Sequence, residues 1–179
     1  MKLLFKKIIS LFILYTKGGV SYARHKGVKV GSRCRIFTTN FGSEPFLIEI
    51  GNDVTITSGV KLITHDGSTW LMKDDKGRRY RFQKIEIGNK VFIGVNSIIM
   101  PGVKIDDNVI VAAGSVVTKS IPSGSIVAGV PAKMVGEYKT IEDRMIKNYI
   151  SDQDMDYNKN YIDRILGVTN PGFKDYLKK

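Results

Sequence analysis

From Ile87 to Pro122 the chain repeats every six residues, six times without a slip. The hexads begin at Ile87, Ile93, Ile99, Ile105, Val111 and Val117; the second position is mostly small or polar, and the fifth is Val, Ser or Ile. An α-helix would turn positions six apart ~240° away from one another, and a simple strand would make positions one, three and five equivalent. The period therefore demands a coil with corners. Three short flat sides satisfy it, each pointing one large aliphatic residue inward, with the fifth-position residues near the corners. The result is an all-β fold, a triangular parallel β-helix. Its coils stack ~4.8 Å apart and bury a continuous ladder of Ile and Val, although no single coil could fold alone.

The pattern begins earlier, at Ile50, Ile56 and Leu62, and more faintly at Val30 and Ile36. Cys34 falls on a fifth position, which suits a small buried hydrophobe better than a reactive thiol. Between Leu62 and Ile87 the spacing is 25, one more than four hexads, and residues 66–84 are polar, with Trp70, Arg78, Arg79, Tyr80 and Arg81. These residues form a loop thrown out of the coil immediately after His65. Long loops on rigid scaffolds tend to carry function, so the site is expected at the base of this one.

At 179 residues the chain is one domain with appendages. A basic amphipathic helix and linker occupy residues 1–27, the β-helix with its protruding loop 28–136, and a helical extension 137–179. In the extension, Thr140 with Asp143 reads as a helix start, and a second short helix ends near Asn170-Pro171-Gly172. One cysteine excludes an internal disulfide and any Cys-rich zinc site, and two histidines exclude a three-histidine metal site within one subunit. No metal is expected.

The net charge is +11, and residues 1–35 carry nine Lys and Arg with no acid. Such a start suits an anionic surface, a membrane or a polyphosphate. No basic-aromatic RNA motif or Cys/His finger supports nucleic-acid binding. The apolar run Ile8 to Tyr15 is far shorter than the ~20 residues needed to span a bilayer. Three readings of residues 1–17 stay open. One is a secretion signal, with Ser21-Tyr22-Ala23 as its cleavage site. Another is an interfacial helix with Leu4, Phe5, Ile8, Leu11, Phe12 and Tyr15 on one side and Lys2, Lys6, Ser10 and Lys17 opposite. The last is a helix that caps the core with the same stripe.

The hexads, together with Ala113-Gly114-Ser115-Val116-Val117-Thr118-Lys119 and Ala128-Gly129-Val130-Pro131-Ala132-Lys133, resemble the hexapeptide-repeat acyltransferases, whose fold is a left-handed parallel β-helix. The likeness covers roughly residues 28–136. The order of Asn40, Ile-Gly-Asn, Thr64-His65, long loop, Ile-Gly-Asn and Gly-Val-Pro-Ala is similar to the galactoside and maltose acetyltransferases. Asn40-Phe41-Gly42-Ser43-Glu44-Pro45 with Thr64-His65-Asp66-Gly67 looks closer still to the O-acetyltransferases of bacterial capsule and lipopolysaccharide sugars. The resemblance implies a homotrimer with active sites at its subunit clefts and acetyl-CoA as co-substrate. It also implies a sugar or polysaccharide acceptor, in the cytoplasm, where the basic start would hold the protein at the inner membrane face.

His65 occupies the fourth place of its hexad, a corner whose side chain points out of the prism. An imidazole there is basic enough near pH 7 to take a proton from a sugar hydroxyl. Asn40 matches the family position that holds the acceptor. Position alone suggests the rest of the acceptor site: Asp66 to orient the imidazole beside the acceptor, Glu44 and Trp70 to contact the sugar. The resemblance lays Val95, Ala113, Thr118, Lys119 and Lys133 along acetyl-CoA, the lysines meeting phosphate. Phe92 stands there in place of the family's tryptophan. Val95 replaces a serine that helps hold the oxyanion, which leaves only a backbone N–H for that task. N-acetylation of an amino-sugar nucleotide is the runner-up activity, and a non-catalytic scaffold that binds a partner or membrane is the alternative of another class.

Overall fold

The structure is a computed structural model that describes residues 2–176, without the side chains of Lys2, Leu3 and Lys6. The side chains of the basic residues Lys2 and Lys6, and residues 177–179 of the C-terminal extension, therefore lie outside the described part.

The chain visits three faces of parallel strands in rotation, with single bridges at Asn40 and Ile121 where no strand forms. Lys29–Val30, Ile48–Ile50, Ile85–Ile87 and Lys104–Ile105 form the first; Arg35–Ile36, Thr55–Ile56, Val91–Ile93, Val109–Val111 and Ser125–Ala128 the second; Lys61–Leu62, Ile98–Ile99 and Val116–Val117 the third. Glu86 pairs with Lys104, Val91 with Val109 and Ile98 with Val116, each eighteen residues on, so one coil is three hexads. Lys61 instead pairs with Ile98, thirty-seven residues on, because the loop after His65 is thrown out within that coil.

All six first-position residues from Ile87 to Val117 are buried, as are the fifth-position residues Val91, Ser97, Val103, Val109, Ser115 and Ile121. Each Ile or Val removed from water contributes roughly 1.5–3 kcal/mol. The serines satisfy themselves as they enter the interior: Ser97 and Ser115 donate to the carbonyl of Ala112 at 3.0 and 2.7 Å. Second positions are small because coils approach closely there. A Cβ on Gly51 would lie 2.5 Å from the Gly88 carbonyl oxygen, and one on Gly88 2.3 Å from Asp107 Oδ1. Beside them Asn52, Asn89 and Asp107 form a ladder in which each side-chain oxygen accepts from the backbone N–H one coil below, at 2.9, 2.8 and 2.6 Å. Cys34 is partly buried, its Sγ 3.2 Å from the Gly51 carbonyl.

Helix α1 (Lys2–Lys26) is broken at Gly18, whose φ of 76° is left-handed. Beyond the break Gly19 lies under the Ile36 carbonyl, where any side chain would clash, and Val20, Tyr22 and Ala23 close the open end of the core. The expected stripe of residues 4–15 does not cap the core; its six side chains are exposed. At the other end the chain turns after Ala128 and returns as Lys133–Glu137, antiparallel to Ser125–Ala128. Hexad counting does not foresee this strand. The described chain divides after Lys139 into two compact units. The second holds most of α2 (Tyr138–Asn148) and α3 (Tyr161–Val168), whose N-cap Asn160 accepts from the N–H of Asp163.

Candidate active site

The corner after the third face is built by two consecutive coils. On the earlier one, Asn40 pairs with Lys61, Phe41 is buried, and Gly42 turns at φ 66°, where a Cβ would press to 3.1 Å on the Leu62 carbonyl and Thr64 Oγ1. That turn brings Glu44 beneath Thr64 and His65 before buried Pro45 leads the chain away. Glu44 Oε2 accepts from Thr64 Oγ1 at 2.6 Å and lies 2.9 Å from His65 Nδ1. A carboxylate cannot donate, so in the neutral ring Nδ1 carries the proton and Nε2 the lone pair. The Thr64 hydroxyl, and then the His65 ring, hold the Glu44 carboxyl below its ordinary pKa, outweighing a burial that raises it. Glu44 is thus an anion at neutral pH.

The geometry gives two of the expected residues partners that the sequence does not announce. Glu44, expected on the sugar, is turned against the imidazole because the coil offset places it there, with its side chain only 17% exposed. Asp66, expected to orient the imidazole, instead caps the 3-10 turn Gly67–Leu71, accepting from Ser68 N and Oγ at 2.9 and 2.6 Å. Those bonds hold its carboxyl low.

The loop is ordered by a ladder of rings and cations. The Arg78 guanidinium lies 4.3 Å over Trp70 and 4.5 Å over Tyr80; Tyr80 stacks on Phe82, and Phe82 stands 6.1 Å from the His65 ring. The loop returns beside its origin: His65 bridges antiparallel to Phe82, and Gln83 N donates to the Thr64 carbonyl at 2.8 Å. Trp70, expected to stack on a sugar, carries Arg78 over its ring and is 56% exposed. The sequence reading missed Arg78, Arg81, Phe82 and Gln83. Alternation of Arg78, Tyr80 and Phe82, the two-residue period of an extended segment, was the available signal.

His65, Asp66 and Thr118 come together in an open cleft of about 420 Å³ with Ile63, Gly67, Arg81, Gln83, Met100 and Pro101. Stacking explains this, since Ile63, Met100 and Thr118 follow equivalent strands on three coils. Exposed Lys119 comes next in the chain. Val95, Ala113 and Lys133 are not at this corner. The N–H of Gly114 donates to the Val95 carbonyl, and Lys133 pairs with Ala128, so this group gathers between the second and third faces, with Phe92 outward on the second. Asn40 begins the third face on the coil below. A larger open groove, about 640 Å³, runs along the first face and shares no lining residue with the His65 cleft, but charges there already pair, Lys29 with Glu49 and Lys104 with Asp106. Among the described residues no cluster of His, Cys, Asp or Glu could hold a metal ion.

Residues 84–119 match the family model of the bacterial transferase hexapeptide, six repeats. The chain is 45% identical over 142 residues to Protein CapG of Staphylococcus aureus, covering 78% of this chain and 83% of that one. It is 33% identical over 99 residues to WbbJ of Escherichia coli (strain K12), named for O-acetyl transfer in lipopolysaccharide biosynthesis. This match covers 51% of this chain and spans half the length of WbbJ. The fold is shared with a galactoside acetyltransferase solved in complex with coenzyme A, at TM-score 0.54 and 24% identity, covering 84% of this chain and 88% of that one.

Proposed function

Because the chain belongs to the hexapeptide-repeat family of bacterial transferases, we propose that it is an acetyl-CoA-dependent O-acetyltransferase that acylates a sugar hydroxyl in surface-polysaccharide assembly. The observation that carries this reading is the His65–Glu44 pair, whose imidazole lines a cleft that also holds Thr118. The O-acetyl transfer in lipopolysaccharide biosynthesis named for WbbJ supports the choice of substrate. On this reading the coil winds left-handed and the protein works in the cytoplasm.

Acetyl-CoA supplies the activated acetyl group as substrate. His65 Nε2 takes the proton of the acceptor hydroxyl as its oxygen forms the new ester bond. The Glu44 anion balances the imidazolium that results, and Thr64 holds Glu44 in place. The same proton then leaves on the thiol product as the thioester bond breaks. A positioned base of this kind contributes ~10² to 10⁴ in rate.

The residues present suit the co-substrate. Exposed Phe92, Val95 and Ala113 offer an apolar edge, and exposed Lys119 and Lys133 offer cations for its phosphates. They lie on two corners with the third face between. In the homotrimer that the family resemblance implies, the His65 corner of one subunit and the Val95 corner of the next would meet one coenzyme at the subunit cleft.

The test incubates the protein with acetyl-CoA and a panel of hexoses, amino sugars and their nucleotide-linked forms, and characterises the product. An acetyl group removed by mild alkali is an ester and supports the reading. An alkali-stable amide, or no transfer to any acceptor, overturns it.

A further inference from the structure

Helix α1 carries an apolar surface that the coil does not use. Beyond Gly18 the helix is committed to the core through Val20, Tyr22 and Ala23. Before Gly18 the side turned inward is a different one. Ile9, Ser10, Ile13 and Leu14 are half-buried there, with Ser10 Oγ 3.2 Å from His25 Nε2. Leu4, Phe5, Ile8, Leu11, Phe12 and Tyr15 point the other way and are 51–84% exposed. At ~100° per residue these six fall within a stripe ~120° wide over three turns. A contiguous apolar patch of this size on a soluble body marks an interaction surface.

The surrounding charge selects the occupant. No Asp or Glu occurs before Glu44, while Lys7 and Lys17 are exposed on this segment and Arg24, His25 and Lys26 end the helix. A second copy would meet the stripe with the same positive charge. An anionic lipid surface satisfies both features at once, its acyl boundary taking the rings and its headgroups the lysines. No helix among the described residues is long and apolar enough to cross a membrane. We infer that the segment before Gly18 lies in the plane of an anionic membrane, and that the Gly18–Gly19 break hinges this anchor to the seated half of the helix. The inference stands independently of the catalytic reading.

Flotation of the full-length protein with vesicles tests it. Phosphatidylglycerol-rich vesicles are expected to carry the protein upward and pure phosphatidylcholine vesicles to leave it behind, with binding weakening as salt rises. Leu11→Glu with Phe12→Glu is expected to lower partition at least about tenfold. Lys7→Glu with Lys17→Glu, which leaves the stripe intact, is expected to lower it by about tenfold or more on anionic vesicles. Light scattering should give both variants the wild-type mass. No flotation, or flotation that neither variant weakens, overturns the inference. So does a Leu11/Phe12 variant whose particle mass falls, since the stripe would then be buried between copies.

Discussion

Nδ1 of His65 lies 2.9 Å from Oε2 of Glu44, twenty-one residues earlier in the chain, and the same offset pairs Asn40 with Lys61 at the other end of the third face. Coil stacking, rather than sequence proximity, assembles the pair. In the proposed reaction Glu44 is a positioning residue, fixing the tautomer that leaves Nε2 basic. Glu44→Gln keeps the shape but lets the amide donate to Nδ1 and favour the wrong tautomer. Turnover is expected to fall ~10- to 10⁴-fold with acetyl-CoA affinity unchanged, by analogy with triad carboxylates. Steady-state kinetics beside a binding titration checks this.

The same carboxylate links stability to pH. Glu44 is held below its ordinary pKa, as are Glu49 beside Lys29, Asp53 beside Arg33 and Asp107 at the Asn89 amide. The folded state therefore binds fewer protons than the unfolded chain in the acid range. The stability these groups contribute is full above the unfolded carboxyl pKa of ~4 and is lost as pH falls through the folded values. Thermal unfolding midpoints should be flat near neutrality and fall below about pH 4.5, less steeply in Glu44→Gln. An equal slope in both proteins would remove Glu44 from the account.

Close approach of the coils makes the second hexad position intolerant. Gly88→Ala would push a methyl to 2.3 Å from Asp107 Oδ1 and 2.9 Å from the Asp106 carbonyl carbon. It is expected to destabilise by about 1–3 kcal/mol. Gly167→Ala, in α3 with open space around it, is expected to stabilise that helix by up to about 1 kcal/mol. Denaturant unfolding of the two variants separates the cases.

Trp70 is the only tryptophan, so its fluorescence reports the loop directly. Arg78→Ala removes the cation from between Trp70 and Tyr80. Such contacts are worth about 0.5–1 kcal/mol each at exposed sites. The variant is expected to shift Trp70 emission and speed hydrogen exchange across residues 66–84, with the global unfolding midpoint nearly unmoved.

The coil was legible because its cause is repetitive. Every coil must present an aliphatic residue inward and a small residue at the close approach, so Ile93, Ile99 and Ile105 announce themselves by spacing alone, and the same count places His65 at a corner. The Glu44–His65 contact was not legible because the early coils are longer than eighteen residues. Lys29 pairs with Glu49 and Arg35 with Thr55 at an offset of twenty, so hexad counting does not carry Glu44 onto His65. Asp66 attracted the orienting role by adjacency, yet an acid directly before a turn is more readily satisfied by the turn's own N–H groups. The break in α1 was readable in Gly18-Gly19, a dipeptide that punctuates a helix. Which face of the helix stays exposed depends on where its second half seats, and that is a tertiary outcome.

Calorimetric titration with acetyl-CoA, run with a thioester-consumption assay on wild type and His65→Ala, tests the central claim most directly. The account predicts equal acetyl-CoA affinity for the two proteins and a loss of ~10² to 10⁴ in turnover for the variant. Undiminished turnover in His65→Ala, or no acetyl-CoA binding by wild type, would contradict it.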